Sequence, residues 1–159
     1  MVNYITSITV LTYGLKPLVL LVLRRSHPDI ARRLRLPMAG VLAPSAFICS
    51  NWIIEWTGFE TNSFLFVLIF VGFVLYALHY HVVARRPAAD FGWRHISWLF
   101  PWFVGMWVLS ALGGVGGGWG ALGFWPAVVL VAIWSLVVLT LAQNSAISPE
   151  ESEAMMQRM

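Results

Sequence analysis

The sequence predicts an all-α fold: a polytopic transmembrane helical bundle with about five membrane-spanning helices. Three observations predict it. The 159 residues are 59% hydrophobic and only 11% charged, whereas a soluble domain carries about 25% charged residues, so there is too little polar surface to cover a globule. Five segments are long and apolar enough to cross a bilayer, and the basic residues lie between or after these segments. We therefore expect lipid to be the solvent for most of the chain.

The predicted spans follow from the length that a membrane helix needs. A hydrocarbon core about 30 Å thick is crossed by roughly 20 helical residues, and a helix satisfies its own backbone hydrogen bonds in lipid. The predicted spans cover residues 4–23, 38–56, 63–83, 96–112 and 124–142.

These five segments differ in how apolar they are. The first is followed by Arg24 and Arg25, and the third and fifth are almost unbroken apolar runs. The second is weaker, because it contains Pro44, Ser45, Ser50 and Asn51. None of the five alternates polar and apolar residues over about ten positions, as the strand of a membrane barrel would.

The arginines predict the orientation of the bundle. The connections 24–37 and 84–95 hold five and three arginines, whereas the connections 57–62 and 113–123 hold neither lysine nor arginine. Basic loops stay on the cytoplasmic side, so we expect a multi-pass protein of the cell membrane with its N-terminus outside and its C-terminus in the cytoplasm. The domain organisation is then a transmembrane domain over residues 1–143 and a cytoplasmic tail over 144–159.

Aromatic residues agree with this orientation. Tryptophan and tyrosine concentrate at the two interfaces of a membrane. On the outer side they are Trp52, Trp56, Trp119 and Trp125, and on the inner side Tyr76, Tyr80, Trp93 and Trp98.

Several functional classes are disfavoured by the composition. The single cysteine, Cys49, leaves no disulfide framework and no cysteine-based zinc site. The net charge of +3 is not accompanied by a nucleic-acid motif, so no nucleic-acid partner is expected. His79 and His81 are two positions apart and point to different sides of a helix, which disfavours a shared metal or haem site. We expect no catalytic residue, metal or cofactor, and the protein is not predicted to be an enzyme.

A glycine-rich run lies at residues 113–120. Gly116, Gly118 and Ala121 formally match a dinucleotide-binding motif, but that motif needs a preceding strand and a βαβ unit. The run instead predicts a flexible external turn that lets the flanking helix ends pack closely.

Lys16 is the most informative candidate residue. It lies about eight residues, or roughly 12 Å, from Arg24, and a cation near mid-membrane costs at least about 2.5–3.5 kcal/mol. Pro17 frees the carbonyl of the residue four positions before it, which adds a polar group nearby. Lys16 shares one helical stripe with three other polar residues. The members of this stripe are Thr6, Thr9, Tyr13 and Lys16. The stripe lies on the first predicted span, residues 4–23, which is labelled α1, and it is called the α1 stripe.

The α1 stripe has two interpretations. In the first, the stripe lines a water-filled path and forms a substrate-binding surface. In the second, Lys16 snorkels toward the headgroups and has no role in binding. A second candidate is Glu55, which shares a helix face with Asn51 near the outer end of the second span. A carboxylate there can bind a cation or a proton. Its neighbours, Trp56 and the turn 57–61, indicate instead that it sits in the wet interface.

At the first cytoplasmic loop the chain resembles a known family. Residues 19–37 read VLLVLRRSHPDIARRLRLP and resemble the loop after the tenth helix of amino-acid permeases of the amino acid–polyamine–organocation (APC) superfamily. The matching positions are Leu23, Arg24, Arg25, Pro28, Arg32, Arg33, Arg35 and Pro37. The family's Arg-Pro-Phe-Arg is replaced by Arg-Leu-Arg-Leu at 33–36. Residues 71–80 and 109–117, reading VGFVLYALHY and LSALGGVGG, are similar to later helices and a Gly-Gly turn of the same family.

This resemblance implies a function. The chain looks like the C-terminal segment of an amino-acid permease with a partial LeuT-like transporter fold, which transports amino acids or related amines by alternating access. In that family the first and sixth helices hold the substrate, and neither is in this chain. We therefore expect the chain to be inactive alone, and to serve an amino acid or polyamine substrate with a coupling ion once the missing helices are supplied.

Two alternatives come from other functional classes. Glycine and serine in the second and fourth spans allow close helix contact, which suits a small structural or accessory membrane subunit that associates with another membrane chain. A membrane enzyme is the third possibility, and it requires a deep cluster of ionisable groups that the sequence does not show.

Overall fold

The computed structural model describes residues 2–26, 37–83 and 93–146, and within these ranges the chain is helical without strands. The helices are α1 (Val2–Ser26), α2 (Ala39–Trp56), α3 (Phe59–Leu78), α4 (Trp93–Ile96), α5 (Leu99–Leu112) and α6 (Phe124–Asn144). A π-helical turn, His79–Val83, prolongs α3. The predicted all-α helical bundle is confirmed.

Four helical stretches are long and apolar enough to cross a membrane. They are Ile5–Arg25, Phe59–Val82, Trp93–Leu112 and Phe124–Asn144. They correspond to the first, third, fourth and fifth predicted spans. The third begins four residues earlier than predicted, because the helix starts at Phe59 and includes Glu60 and Asn62 in its first turns.

The predicted second span forms α2, whose ends lie within one residue of the predicted 38–56. It is not among the four helices that qualify by length and hydropathy. The reason is its polar content, which includes Ser50, Asn51 and Glu55. Two of these residues, Asn51 and Glu55, are buried against other helices, so they do not face the surroundings of the bundle.

Helix α2 is the centre of the bundle, because it contacts α1, α3, α5 and α6. Every fourth residue along it is buried, which forms one continuous row on the helix surface. The row consists of Ala39, Ala43, Phe47, Asn51 and Glu55. Its apolar members join a core with residues of α1, α5 and α6. The most deeply buried of these partners are Leu18, Trp102, Met106, Val131 and Val138.

Glycines allow the closest helix approaches. A methyl group at Gly14 on α1 would lie 2.8 Å from the Cβ of Ser50 on α2. At Gly105 on α5 it would overlap the indole ring of Trp134 on α6. These two positions set how near the neighbouring backbones come.

At one end of the bundle, called the inner end after the predicted orientation, α6 is hydrogen-bonded to two other segments. Arg25 at the end of α1 donates a hydrogen bond from Nη1 to Gln143 Oε1, at 3.0 Å. His95 Nδ1 on α4 lies 2.8 Å from the carbonyl of Ser145, just after α6. Residues 27–36 and 84–92 of the two predicted arginine loops, and residues 147–159 of the predicted tail, lie outside the described residues.

At the opposite end, called the outer end in the same way, the glycine-rich run folds back as an ordered cap. Within the run, Trp119 donates its amide to the carbonyl of Ala111 on α5 at 2.7 Å, and Leu122, just after the run, donates to the carbonyl of Leu112 at 2.9 Å. The run also accepts from the first amides of α3, with Glu60 N to Gly116 O at 3.0 Å. The predicted turn is therefore hydrogen-bonded to both helices and satisfies backbone groups that helix ends leave unpaired.

Two glycines make this cap possible. Gly58, which precedes α3, has φ 100° and Gly116 has φ 55°, and a Cβ on either would stand 2.8 Å from the Cα of the other. Only glycine combines a positive φ with so close a backbone crossing.

Candidate functional site

The α1 stripe lies together on one exposed face of its helix. Thr6, Thr9, Tyr13 and Lys16 are all exposed. The opposite face of α1 is buried through Ser7, Gly14, Leu18 and Leu21. The helix therefore presents one face to the bundle and the polar stripe away from it.

Within the stripe, Lys16 rests on its neighbour. The Lys16 Nζ lies 3.7 Å from the centroid of the Tyr13 ring, a cation–π contact. The Tyr13 side chain is itself 59% exposed, and Thr9 donates its hydroxyl to the carbonyl of Ile5 at 2.8 Å. The stripe thus offers one cation and a phenol at an open surface, groups that suit a carboxylate-bearing ligand.

A second polar group, the Asn51 cluster, is buried in the core and consists of Asn51, Trp102 and Ser135. Asn51 is 0% exposed and donates from Nδ2 to Ser135 Oγ on α6 at 2.8 Å. Its Oδ1 accepts from Trp102 Nε1 on α5 at 3.2 Å. The Ser135 hydroxyl donates a hydrogen bond to the carbonyl of Val131 at 2.6 Å. These hydrogen bonds join three helices, and the cluster has no spare polar group for a ligand.

A third group, the Asn62 cluster, lies toward the glycine-rich run and consists of Asn62, Ser110 and the carbonyl of Ile54, the residue before Glu55. Asn62 on α3 donates from Nδ2 to the carbonyl of Ile54 at 2.7 Å and to Ser110 Oγ at 3.0 Å. Its Oδ1 is buried without a hydrogen-bond partner among the described residues. Unlike the Asn51 cluster, this group contains an unused acceptor.

The expectation that Glu55 sits in the wet interface is wrong. Its side chain is only 3% exposed, and its Oε1 would lie 2.7 Å from a Cβ added at Gly113. Glu55 belongs to the buried row of α2, and the glycine-rich run covers the end of that row. The adjacent Trp56, on the outward side of the helix, is 44% exposed.

An apolar cavity of about 380 Å³ lies among α1, α3 and the α4–α5 segment. It is lined almost wholly by carbon, and its walls include Leu11, Phe70 and Phe103. A zwitterionic ligand buried there would lose its hydration without gaining hydrogen bonds. The cavity therefore suits an acyl chain or an apolar side chain rather than an amino acid.

Sequence reasoning found the α1 stripe and the Asn51–Glu55 pair, but it missed Asn62, Trp102, Ser110 and Ser135. A usable signal existed for the two serines, since each interrupts an apolar helix. Asn62 was assigned to a loop because the start of α3 was placed too late. The part of the chain that the structure describes contains no group of three histidine, cysteine, aspartate or glutamate residues able to hold a metal.

Comparison with known proteins gives two relatives. The chain is 27% identical over 147 residues to the glutamate/serine transporter AimA of Bacillus subtilis, a match that covers 92% of this chain and 27% of that protein. It is 26% identical over 139 residues to the aspartate-proton symporter of Bacillus subtilis, covering 87% of this chain and 27% of the symporter. No protein-family model matches the chain, and no solved structure does.

These similarities confirm the resemblance to amino-acid permeases. Both relatives are transporters by name, and neither supports the accessory-subunit alternative. With four helices able to span a membrane, the chain has the character of a multi-pass membrane protein. It spans about a quarter of the length of the curated relatives that it matches.

Proposed function

We propose that this chain forms part of the membrane-embedded helical bundle of an amino-acid transporter. The observation that carries the proposal is similarity to two amino-acid transporters across about nine-tenths of the chain. Four helices long and apolar enough to cross a membrane support it. The transporter works by alternating access, and this bundle supplies scaffold and pathway helices around a site near the membrane centre.

The substrate in this proposal is an amino acid, with an acidic amino acid as the first candidate. The relatives are named for glutamate, serine and aspartate. The α1 stripe supports the same class, because Lys16 is a cation on an exposed face and attracts a carboxylate. A lysine at this depth is costly in lipid, and water or an anionic partner offsets that cost.

The α1 stripe therefore lines the substrate path, and further helices of the transporter lie opposite it. They hold the substrate and the coupling ion, so the chain alone does not transport. The length comparison supports this division, since the match covers 27% of each relative.

The orientation in the membrane is part of the proposal. The N-terminus and the glycine-rich run face outward, and the two arginine loops and the C-terminus face the cytoplasm of a cell membrane. The support is the distribution of arginine among the four connections of the sequence.

A segment exchange tests the proposed function. The part of the Bacillus subtilis glutamate/serine transporter that matches this chain is replaced by the chain, and uptake of labelled glutamate and serine is measured in cells without their own uptake systems. We expect uptake above the vector control, and none from the same transporter with the segment deleted or from this chain alone.

The control is the amount of each protein in the membrane, measured by immunoblot. An exchange that inserts in normal amount but takes up no amino acid contradicts the proposal. Uptake by the chain alone contradicts the proposal that further helices are needed to hold the substrate and the coupling ion.

A further inference from the structure

The outer end of the bundle buries a carboxyl group. Glu55 occupies the last turn of α2, is 3% exposed, and lies directly beneath the glycine-rich run, in contact with Gly113. No hydrogen bond or ion pair to this carboxyl is formed by the described residues. A buried ionised carboxylate without a partner is strongly unfavourable, and such a group takes up a proton instead.

An unused acceptor on Asn62, which binds the carbonyl of the residue before Glu55, is an independent observation. Asn62 is 1% exposed, and its amide orientation is fixed because the carbonyl of Ile54, which can only accept, requires Nδ2 on that side. This leaves Asn62 Oδ1 buried with no donor among the described residues. A protonated carboxyl group supplies the donor that this oxygen lacks.

Among the described residues, no basic side chain lies near Glu55 to replace the proton. Helices α5 and α6 and the connection 113–123 have no ionisable side chain. On α3 there are Glu60, which is exposed and contacts Gly117, and the distant Tyr76. On α2 itself there is Cys49. On α1 the ionisable residues are Tyr4, Tyr13, Lys16, Arg24 and Arg25.

The basic residues of α1 are engaged elsewhere. Lys16 lies on the exposed face over Tyr13, and Arg24 and Arg25 lie in the last turn of α1 at the inner end, where Arg25 reaches Gln143. Among the described residues, the charged group that lies against the glycine-rich run is another carboxylate, Glu60.

We propose that Glu55 is a buried proton-binding site. It is the neutral carboxylic acid in the folded protein, and its O–H is shared with Asn62 Oδ1, directly or through one water molecule, under the cover of the glycine-rich run. A monovalent cation is the competing occupant, because the carbonyls of Leu109 and Ser110 also lie near Gly113, and the test below separates the two occupants. The inference concerns the purified chain and does not depend on the proposed transport.

Infrared spectroscopy of the full chain in lipid nanodiscs tests the proposal. At neutral pH the wild type is expected to show the carbonyl band of a protonated carboxyl group. The band is expected to fall at least tenfold in Glu55→Gln and to remain in the matched control Glu60→Gln. Asn62→Leu is expected to move it to the position of a carboxyl group without a hydrogen bond.

Three results would overturn the proposal. One is the absence of the band from the wild type, and another is its persistence in Glu55→Gln. The third result has two parts: the band appears only when sodium is replaced by choline, and the thermal stability rises with the sodium concentration. Together these would show that a cation occupies the site. A band that does not move in Asn62→Leu overturns the assignment of the partner.

The test does not depend on the folding of Glu55→Gln. If that variant fails to insert, the wild-type band in a Glu60→Gln background decides the question. All other acidic residues of the sequence lie in connections or in the tail, at Asp29, Asp90, Glu150, Glu151 and Glu153. A band that persists in the Glu60→Gln protein supports the proposal, and the absence of the band from that protein overturns it.

Discussion

Individual polar side chains are accommodated in two different ways in this bundle. Asn51 is fully buried and uses both ends of its amide, with Ser135 on one side and Trp102 on the other. Lys16 is exposed and has its ammonium group over the Tyr13 ring. The first arrangement stabilises contacts between helices, whereas the second leaves a charge available to a ligand or to a further helix.

Replacing Asn51 tests the first arrangement. Asn51→Leu keeps the volume of the side chain but leaves the buried Trp102 indole N–H without an acceptor, which costs about 1–3 kcal/mol. We expect the free energy of unfolding in detergent micelles to fall by that amount. Ser45→Ala is the control on the same helix: Ser45 is exposed and bonds only to the carbonyl of Val41, so a change within about 0.5 kcal/mol is expected. Equal effects of the two changes would contradict a special role for Asn51.

Replacing Lys16 tests the second arrangement. In the segment exchange described above, Lys16→Met is expected to lower glutamate uptake about tenfold, a loss of about 1.4 kcal/mol of interaction, and serine uptake less. Lys16→Arg keeps the charge and is expected to retain most of the uptake. The measurement is initial uptake of the two labelled amino acids, normalised to the amount of protein in the membrane. Unchanged uptake in Lys16→Met would identify a snorkelling lysine.

For single residues, the sequence indicated which polar and charged side chains stand out, but it did not predict which residues surround them in the structure. Lys16 stands out because it is the only lysine, within an apolar segment. The burial of Glu55 could not be predicted, because it depends on the glycine-rich run, about sixty residues later, folding back over the end of α2. Asn62 was missed for a similar reason, since its partners lie on α2 and α5.

Among the elements, α5 and α6 approach each other at a single small residue. Gly105 on α5 lies against the indole ring of Trp134 on α6, so no side chain fits between them. Gly72 on α3 provides a contrast, because a Cβ there would have no atom within 4 Å. Gly105 is therefore required for close helix contact, whereas the position of Gly72 has room for a side chain.

Alanine substitution separates these roles. Gly105→Ala is expected to lower the free energy of unfolding by about 1–3 kcal/mol, because the helices must shift to admit the methyl group. Gly72→Ala is expected to leave it unchanged or to raise it by up to about 1 kcal/mol, through helix propensity. Thermal unfolding in the same detergent measures both. A Gly105→Ala protein as stable as Gly72→Ala would contradict the close approach.

Helix positions were predictable because apolar length is a local property of the sequence. The predicted limits of α2 and α6 agree with the structure to within two residues. The central position of α2 was not predictable from hydropathy, which marks it as the weakest span. Its row of buried residues becomes visible only when α1, α3, α5 and α6 surround it.

For the whole molecule, the two ends of the bundle are built differently. The outer end is closed by backbone hydrogen bonds of the glycine-rich run, and the inner end by the contacts of Arg25 and His95 with the end of α6. The proposed orientation assigns these two ends to opposite sides of the membrane.

Single-cysteine labelling tests that assignment. In a Cys49→Ser background, Trp119→Cys places a thiol in the glycine-rich run and Ser97→Cys places one at the inner end, both at exposed positions. A membrane-impermeant maleimide is expected to label Trp119→Cys in intact cells and Ser97→Cys only after permeabilisation. The measurement is the labelled fraction on a gel. Labelling of Ser97→Cys alone in intact cells would reverse the orientation.

The exposed thiol of Cys49 also has a practical consequence. It is the only cysteine of the chain, and it lies about seven residues, or roughly 10 Å, before the outer end of α2 at Trp56. Thiols react as thiolates, and a thiolate does not form in hydrocarbon, so the rate of alkylation of Cys49 reports how wet this side of the helix is. The protein thus carries its own hydration probe at a defined position on α2, without any engineering.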